Sequence, residues 1–375
     1  MIFAGKAIVF NNNNKYSDFK DEIKSVNREG FDFLYVKNES FTDGDKENFF
    51  HNMIEIASLC EKKVFVEFPL THFEDMKKLY YANVDKIIFT DKTTLDASVI
   101  EDGRKRFKEK LLVSFDDFKS KEITGEEIDF SSLNNDNDFY LLFDSKNALN
   151  IIALKNSLSD KGFEINTLKP QIKWSELKKN NDGLLPVIVV DYKTDKILML
   201  AYMNEEAYLN TFKTGLMTYY SRSRNEQWIK GETSGHYQFV KYIKADCDMD
   251  TLLAGVSQIG VPCHTGKDTC FFNDVLTSDS KEKNPSKILD DLYKVIEDRK
   301  ANPKEGSYTN YLFDKGLDKI LKKVGEEAVE IVIASKNEEP KEIKYEIADF
   351  LYHLSVLMVE KGVTWEEVAD ELSKR

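Results

Sequence analysis

Two short stretches of this sequence gather side chains able to hold metal ions. In the first, Asp246, Cys247, Asp248, Met249 and Asp250, a thiol stands among carboxylates. A solvated acidic turn is one account; read as a strand, the stretch puts the three Asp on one face and Cys247 on the other, because side chains alternate with period two. One ion could hardly collect both sets, so the pattern predicts two different ions. An EF-hand loop begins with the same acids but needs Gly at its sixth position and Glu at its twelfth. Thr251 and Ser257 stand there instead. A magnesium site built from carboxylates and waters fits the three Asp. In the second stretch, "GVPCHTGKDTCFF", stand Cys263, His264 and Cys270. Paired C-x-x-C spacing is absent, which disfavours a zinc ribbon. A nucleoside deaminase would need its second Cys three residues after the first and a His-x-Glu upstream; here the second is Cys270, and His236 is followed by Tyr237 and Gln238. Three thiolates with an open fourth position would make a catalytic zinc that activates water.

Upstream of both lies "SRSRNEQWIKGETSGH", residues 221–236. An exposed charged hairpin would have the same spacing. The chemistry it offers is an anion cradle: Arg222, Arg224 and Lys230 as cations, Ser221, Ser223, Thr233 and Ser234 as hydroxyl donors, with Glu232 among them. Further on, "KKVGEEAVEIVIASKN" sets Glu326, Glu327 and Glu330 along one helix edge, and "YEIADFLYHL" adds Glu346 and Asp349 three apart. Like charges at these spacings repel, and no Lys occupies any of the five positions. A solvated acidic face is one account. Against it, Val329, Ile331, Val332, Ile347, Ala348 and Phe350 crowd the acids with apolar neighbours. Carboxylates at a helical core suit divalent ions that grip a polyphosphate. His353, one turn past Asp349, is expected as a core or surface residue and not a ligand.

The elements that must position these residues fall into three segments. Residues 1–168 alternate apolar strand-like runs ("KAIVF", "DFLYVKN", "KVFVEF", "DKIIFTD", "KLLVSFD", "FYLLFD") with amphipathic stretches. That alternation predicts βα units and a parallel sheet or partial barrel. "SSLNNDND", residues 131–138, reads as a loop. Residues 169–276 carry short strands with turns, including a hairpin at "DYKTDK", and predict a mainly β domain with some helix. A linker at 277–286 precedes a helical domain, 285–375. There Pro285 and Pro340 mark helix starts, Thr364 and Glu367 a capping box, and Gly362 a stop.

Composition narrows the classes. The 375 residues carry a net charge of −13, which argues against a broad nucleic-acid-binding surface. No apolar run approaches a membrane span and no secretion signal opens the chain, so it reads as cytoplasmic. Of the four cysteines three cluster between Cys247 and Cys270, which under reducing conditions suggests metal binding over disulfides. Cys60, in "MIEIASLC", is expected as a small buried hydrophobe.

"LMLAYMN", "YYSRSR", "WIKGETSG", "DCDMDTLL" and "PCHTG…TCFF" resemble the phosphoribosyl-AMP cyclohydrolase family of histidine biosynthesis, over about Gly183–Phe272. The resemblance implies that Asp246, Asp248 and Asp250 hold magnesium and that Cys247, Cys263 and Cys270 hold zinc. It further implies a homodimer, with the first Cys reaching the partner's zinc, and hydrolytic opening of the adenine ring by zinc-hydroxide attack at C6. His264 is then the expected proton carrier; His236 is assigned no role. "GSYTNYLFDKGLDKILKKVGEEAVE" and the acidic pairs resemble phosphoribosyl-ATP pyrophosphohydrolase, over about Ile288–Arg375. This implies magnesium on Glu326, Glu327, Glu330, Glu346 and Asp349, with Glu327 and Glu330 catalytic, and the product is the substrate of the preceding domain. A housekeeping pyrophosphohydrolase with a regulatory metal domain would have no use for the basic, hydroxyl-rich stretch. Residues 62–116 are similar to the phosphoribosyl barrel enzymes of the same pathway, the isomerase and the cyclase. They depart from that pattern at Glu67, Phe68, Pro69 and Leu70, where a glycine-rich phosphate turn is usual, and lack an Asp on the first strand; only Asp116 matches a catalytic position. Too short for eight βα units, the segment is expected to be a truncated, inactive barrel with a structural or interaction role.

Overall fold

The computed structural model describes residues 1–11, 14–38, 46–107, 112–123, 138–144, 150–276, 287–337 and 340–372. The chain divides into two compact units, Met1–Val275 and Leu276–Arg375. The expected linker at 277–286, with Pro285, lies outside the described residues, as does the expected loop at 131–138 except for Asp138.

The first unit opens with strands and helices in alternation: β1 (Ile2–Phe10), α1 (Lys20–Arg28), β2 (Phe33–Asn38), α2 (Lys46–Leu59), β3 (Lys63–Glu67), α3 (Phe73–Tyr81), β4 (Lys86–Phe89), α4 (Ala97–Phe107), β5 (Leu112–Ser114), β6 (Ser120–Ile123), β7 (Phe139–Phe143) and α5 (Ile151–Asp160). The strands form one seven-stranded parallel sheet in the order β5-β4-β3-β2-β1-β7-β6. That is the neighbour order of a βα barrel opened between β5 and β6. Period two sorts the side chains. Ile2, Ala4, Ile8 and Phe10 of β1 pack with Ile23, Val26 and Phe49 on the helix side, where Cys60 is also buried. Burial pushes the Cys60 thiol up to about 12. The opposite face is filled by rings: Phe33 stacks on Phe65 at 4.5 Å, and Phe118 on Tyr140 at 4.4 Å. Lys86 stands 4.9 Å above both Phe65 and Tyr140. Glu67, one of the residues in place of a glycine-rich turn, accepts a 2.5 Å hydrogen bond from Tyr35 Oη. Asp116 is exposed in the turn after β5.

A mixed sheet completes this unit. β8 (Leu185–Asp191), β9 (Ile197–Met203), β12 (Gln238–Ala245) and β13 (Leu252–Gln258) lie in the order β12-β13-β8-β9, with only β13 and β8 parallel. The expected hairpin turn joins β8 and β9: Asp191 Oδ1 accepts from the amides of Lys193 and Thr194. α6 (Glu205–Thr214) follows β9 and leads into a separate hairpin, β10 (Thr218–Ser221) and β11 (Glu226–Ile229). Leu185, Val187, Met203, Tyr219 and Val256 are in the core beneath.

The second unit is helical: α7 (Ile288–Ala301), α8 (Tyr308–Lys315), α9 (Leu317–Ala334), α10 (Pro340–Lys361) and α11 (Trp365–Leu372). The run from Leu312 to Asn337, read from sequence as one helical stretch, breaks at Gly316, whose φ of 79° is outside the helical range. α10 begins at Pro340 as expected. Thr364 and Glu367 cap α11 reciprocally, at 3.2 and 2.8 Å. Ile296, Leu312, Ile320, Val356 and Val359 form the core. Among the described residues, no helix is long and apolar enough to cross a membrane.

Candidate functional site

The stretch Asp246–Asp250 is not a strand. β12 ends at Ala245, and Met249 takes a φ of 66°, so the chain turns instead of alternating faces. The turn is held by Asp246 Oδ1, which accepts from the amides of Asp250 at 3.0 Å and Thr251 at 3.1 Å. Desolvation opposes the charge on Asp246, but the Thr251 and Asp250 amides outweigh it and hold the carboxyl below its usual range. The three Asp are gathered all the same: one oxygen from each of Asp246, Asp248 and Asp250 lies within 4.8 Å of the others. Cys247 is exposed beside them.

Cys263 and Cys270 sit in an irregular segment after β13. Cys263 is buried and its sulfur lies 3.0 Å from Thr265 Oγ1. That hydroxyl, followed by the Thr265 amide, holds the thiol below its usual range. Cys270 is pinned by its amide to Leu198 O at 2.8 Å; desolvation and the neighbouring Cys263 push its thiol up. The two thiols are therefore neighbours, each shifting the other. No third His, Cys, Asp or Glu joins the pair among the described residues. His264, between the two, is exposed.

The basic stretch forms the β10–β11 hairpin and the turn after it. Arg222, Ser223 and Arg224 are exposed at the hairpin tip. Arg222 stacks 3.9 Å over the Tyr202 ring, while Arg224 pairs with Glu226 at 3.1 Å. Glu232, Thr233 and Ser234 are exposed in the following turn, which needs a glycine at its head. Gly231 has φ +94°, and a Cβ there would stand 2.4 Å from Tyr237 N. Lys230 departs from the expected set. It is buried, donates to His236 O at 3.4 Å, and interacts electrostatically with Cys270 and Cys263. Burial lowers its pKa and the two thiols oppose that. His236 packs its ring on Gly260.

In the helical unit α9 and α10 bring Glu327, Glu346 and Asp349 together within 4.8 Å. Glu327 is 4 % exposed. Glu326 lies outside this trio, bonded to Lys322 at 3.5 Å and Lys323 at 3.1 Å, and Lys323 holds its carboxyl below the usual range. Glu330 is exposed and also outside the trio. The lysines correct the expectation that nothing offsets the acids: they come from the preceding helical turn, a spacing readable in the sequence. Lys323 also reaches Glu327 Oε1 at 3.4 Å, and Glu326, then Glu327, raise its pKa.

His353 is buried, as expected, but it is more than packing. Its Nδ1 stands 2.9 Å from the Asp349 carbonyl and 3.5 Å from Glu327 Oε1, and its Nε2 3.2 Å from Tyr308 Oη. A carbonyl only accepts, so in the neutral ring Nδ1 carries the hydrogen and Nε2 takes that of the Tyr308 hydroxyl. The ring therefore ties the acid of α9 to the acid-bearing turn of α10. Nothing in sequence spacing marks Tyr308, on another helix, as its partner.

Residues 199–272 match the family model described as phosphoribosyl-AMP cyclohydrolase, and residues 289–375 that of phosphoribosyl-ATP pyrophosphohydrolase. A histidine biosynthesis bifunctional protein HisIE of Thermoanaerobacter pseudethanolicus is 51 % identical over 209 residues, which is 52 % of this chain and 97 % of that protein. The HisIE protein of Caldanaerobacter subterraneus is 54 % identical over 200 residues, 53 % of this chain and 96 % of its own length. That of Bacillus subtilis is 48 % identical over 200 residues, covering 53 % of this chain and 95 % of its own length.

Proposed function

We propose, from the premise that this chain belongs to the family of histidine biosynthesis bifunctional proteins, that its two activities use two chemically different centres. The chain is a bifunctional hydrolase: it converts phosphoribosyl-ATP to phosphoribosyl-AMP and pyrophosphate, and it hydrolyses phosphoribosyl-AMP with opening of the adenine ring. The observation that carries the division is the donor chemistry. All four cysteines precede residue 276, whereas the helical unit offers a half-buried to buried carboxylate trio and no thiol.

Thiolates suit zinc and carboxylates suit magnesium. Cys263 and Cys270 fit a zinc ion that lacks one protein ligand, and Cys247 of the partner subunit would complete it in a homodimer. Asp246, Asp248 and Asp250 fit magnesium in the same domain. Glu327, Glu346 and Asp349 fit magnesium in the helical one, with Glu326 and Glu330 at its rim. Zinc would supply a Lewis acid for water, and magnesium would offset phosphate charge. The chain's own side chains do the rest. Arg222, Arg224, Ser223, Thr233 and Ser234 anchor the phosphate and ribose by charge-assisted hydrogen bonds, with Glu232 beside them. Lys230 sets a positive charge beside the thiol pair. His264, exposed next to Cys263, moves the proton during ring opening. In the helical domain Lys323 and His353 both approach Glu327 Oε1.

The domains are then residues 1–168, 169–276 and 285–375, working in the cytoplasm on small nucleotides. The first carries no chemistry of its own: rings occupy its sheet face, and Glu67 is tied to Tyr35. The test is to strip metals from the full chain, then supply phosphoribosyl-ATP and phosphoribosyl-AMP separately. Magnesium alone is expected to restore pyrophosphate release, and ring opening to need zinc as well. Ring opening at full rate without zinc, or pyrophosphate release that needs zinc, would overturn the division.

A further inference from the structure

Neither hydrolase model reaches the first part of the chain, since the first match begins at residue 199. Among the described residues, that part meets the rest of its unit at two places that bear on the cyclohydrolase segment. At one, α5 caps α6. Asn156 Nδ2 donates to Lys213 O at 3.0 Å and Phe212 O at 3.3 Å, and Asn150 Nδ2 to Thr214 O at 3.1 Å. These are the last carbonyls of α6, which lack partners inside the helix. Ile152, 7 % exposed, closes over the helix end at Gly215: a Cβ there would stand 2.1 Å from Ile152 Cδ1. At the other place, Glu61 accepts from Tyr192 Oη at 2.6 Å and pairs with Lys193 at 3.4 Å and Lys241 at 3.7 Å. Lys241 also donates to Asn27 O, and Arg28 stands 5.9 Å over the Phe239 ring.

These two places are the two ends of one segment. Leu216 bridges Phe239, Val240 N donates to Gly215 O at 3.0 Å, and Met217 N to Gln238 O at 2.9 Å. Between those ends run β10, β11 and the Gly231 turn, with Arg222 through Ser234. A hairpin closed by few hydrogen bonds opens from its base, and whatever holds the base sets how often it opens.

We infer that residues 1–168 clamp the base of the 216–239 segment and so position the phosphate cradle of the cyclohydrolase. The inference rests on the reading of that segment as the cradle. Asn150 also caps its own helix through Ala153 N, so it is left intact. The test uses the full chain with Asn156→Ala and Glu61→Gln, singly and together, one substitution at each end of the clamp. Hydrogen exchange at the Met217, Lys230 and Val240 amides is expected to quicken about tenfold in the double variant. KM for phosphoribosyl-AMP rises about three- to tenfold, kcat changes less than twofold, and pyrophosphate release in the same chain is unchanged. Unaltered exchange at these amides, with β13 amides still protected, overturns the clamp. Faster exchange without a KM change, where Arg222→Ala does raise KM, overturns its bearing on the site. If Arg222→Ala also leaves KM unmoved while exchange quickens, the clamp stands and the cradle reading fails.

Discussion

Replacing His353 by Leu separates holding an acid from merely filling space. The imidazole and Glu327 side chains are 7 % and 5 % exposed, so water cannot readily substitute for the lost donor. A well-made hydrogen bond to a charged group contributes ~1.5–3 kcal/mol. Here the 3.5 Å separation is at the edge of bonding range and the hydrogen is shared with the Asp349 carbonyl. The lower end applies at most, ~1.5 kcal/mol, which is about tenfold in a binding constant. Groups that orient metal ligands typically carry ~10- to 100-fold, so the estimate falls at the foot of that range. The magnesium needed for half-maximal pyrophosphate release from phosphoribosyl-ATP should therefore rise about tenfold. Asn at the same position returns a donor close to that of Nδ1 and should recover much of the loss. Ring opening of supplied phosphoribosyl-AMP serves as the internal control and should not change. A folded His353→Leu chain with an unaltered magnesium requirement and rate would refute the reasoning.

Three further expectations follow from the centres. Cys263→Ser should abolish zinc binding and ring opening while leaving pyrophosphate release largely intact; metal analysis beside the two assays checks it, and joint loss of both activities would count against separate centres. Glu327→Gln should do the reverse, lowering pyrophosphate release at least ~100-fold, and near-normal release would remove Glu327 from the reaction. The protein should sediment as a dimer or larger, because Cys263 and Cys270 have no third ligand among the described residues; a monomer with full zinc and full ring opening would exclude a shared site.

Much of the chemistry was legible because it lies in short, dense stretches. Helical spacing picks out Glu327, Glu346 and Asp349 but also Glu326 and Glu330, which lie outside the trio, and the strand-like runs of the first part fall on the strands of its parallel sheet. What failed had physical reasons. Alternation separates Cys247 from the Asp only if Asp246–Asp250 is a strand; a left-handed Met249 and the carboxylate-bound amides of Asp250 and Thr251 make it the acidic turn of the other account. β6, with sequence SKEI, is too short and polar to stand out, and it forms only because β7 offers it a partner. Gly316 separates α8 from α9 within a run whose other residues suit a helix. The Asn156 and Glu61 contacts join residues distant in sequence, so no local pattern announces them.

The opened strand order of the first sheet bears on how this protein behaves in a crowded solution. A closed barrel presents no rim of free backbone to another chain, whereas an open sheet has two. Here those outer positions are taken by β5 and β6, strands of three and four residues. Such short rims give a stray β-segment little to zip onto, and Lys121 and Glu122 put opposite charges along one of them. Among the described residues, brevity at the margins thus does for self-association what closure does in a complete barrel.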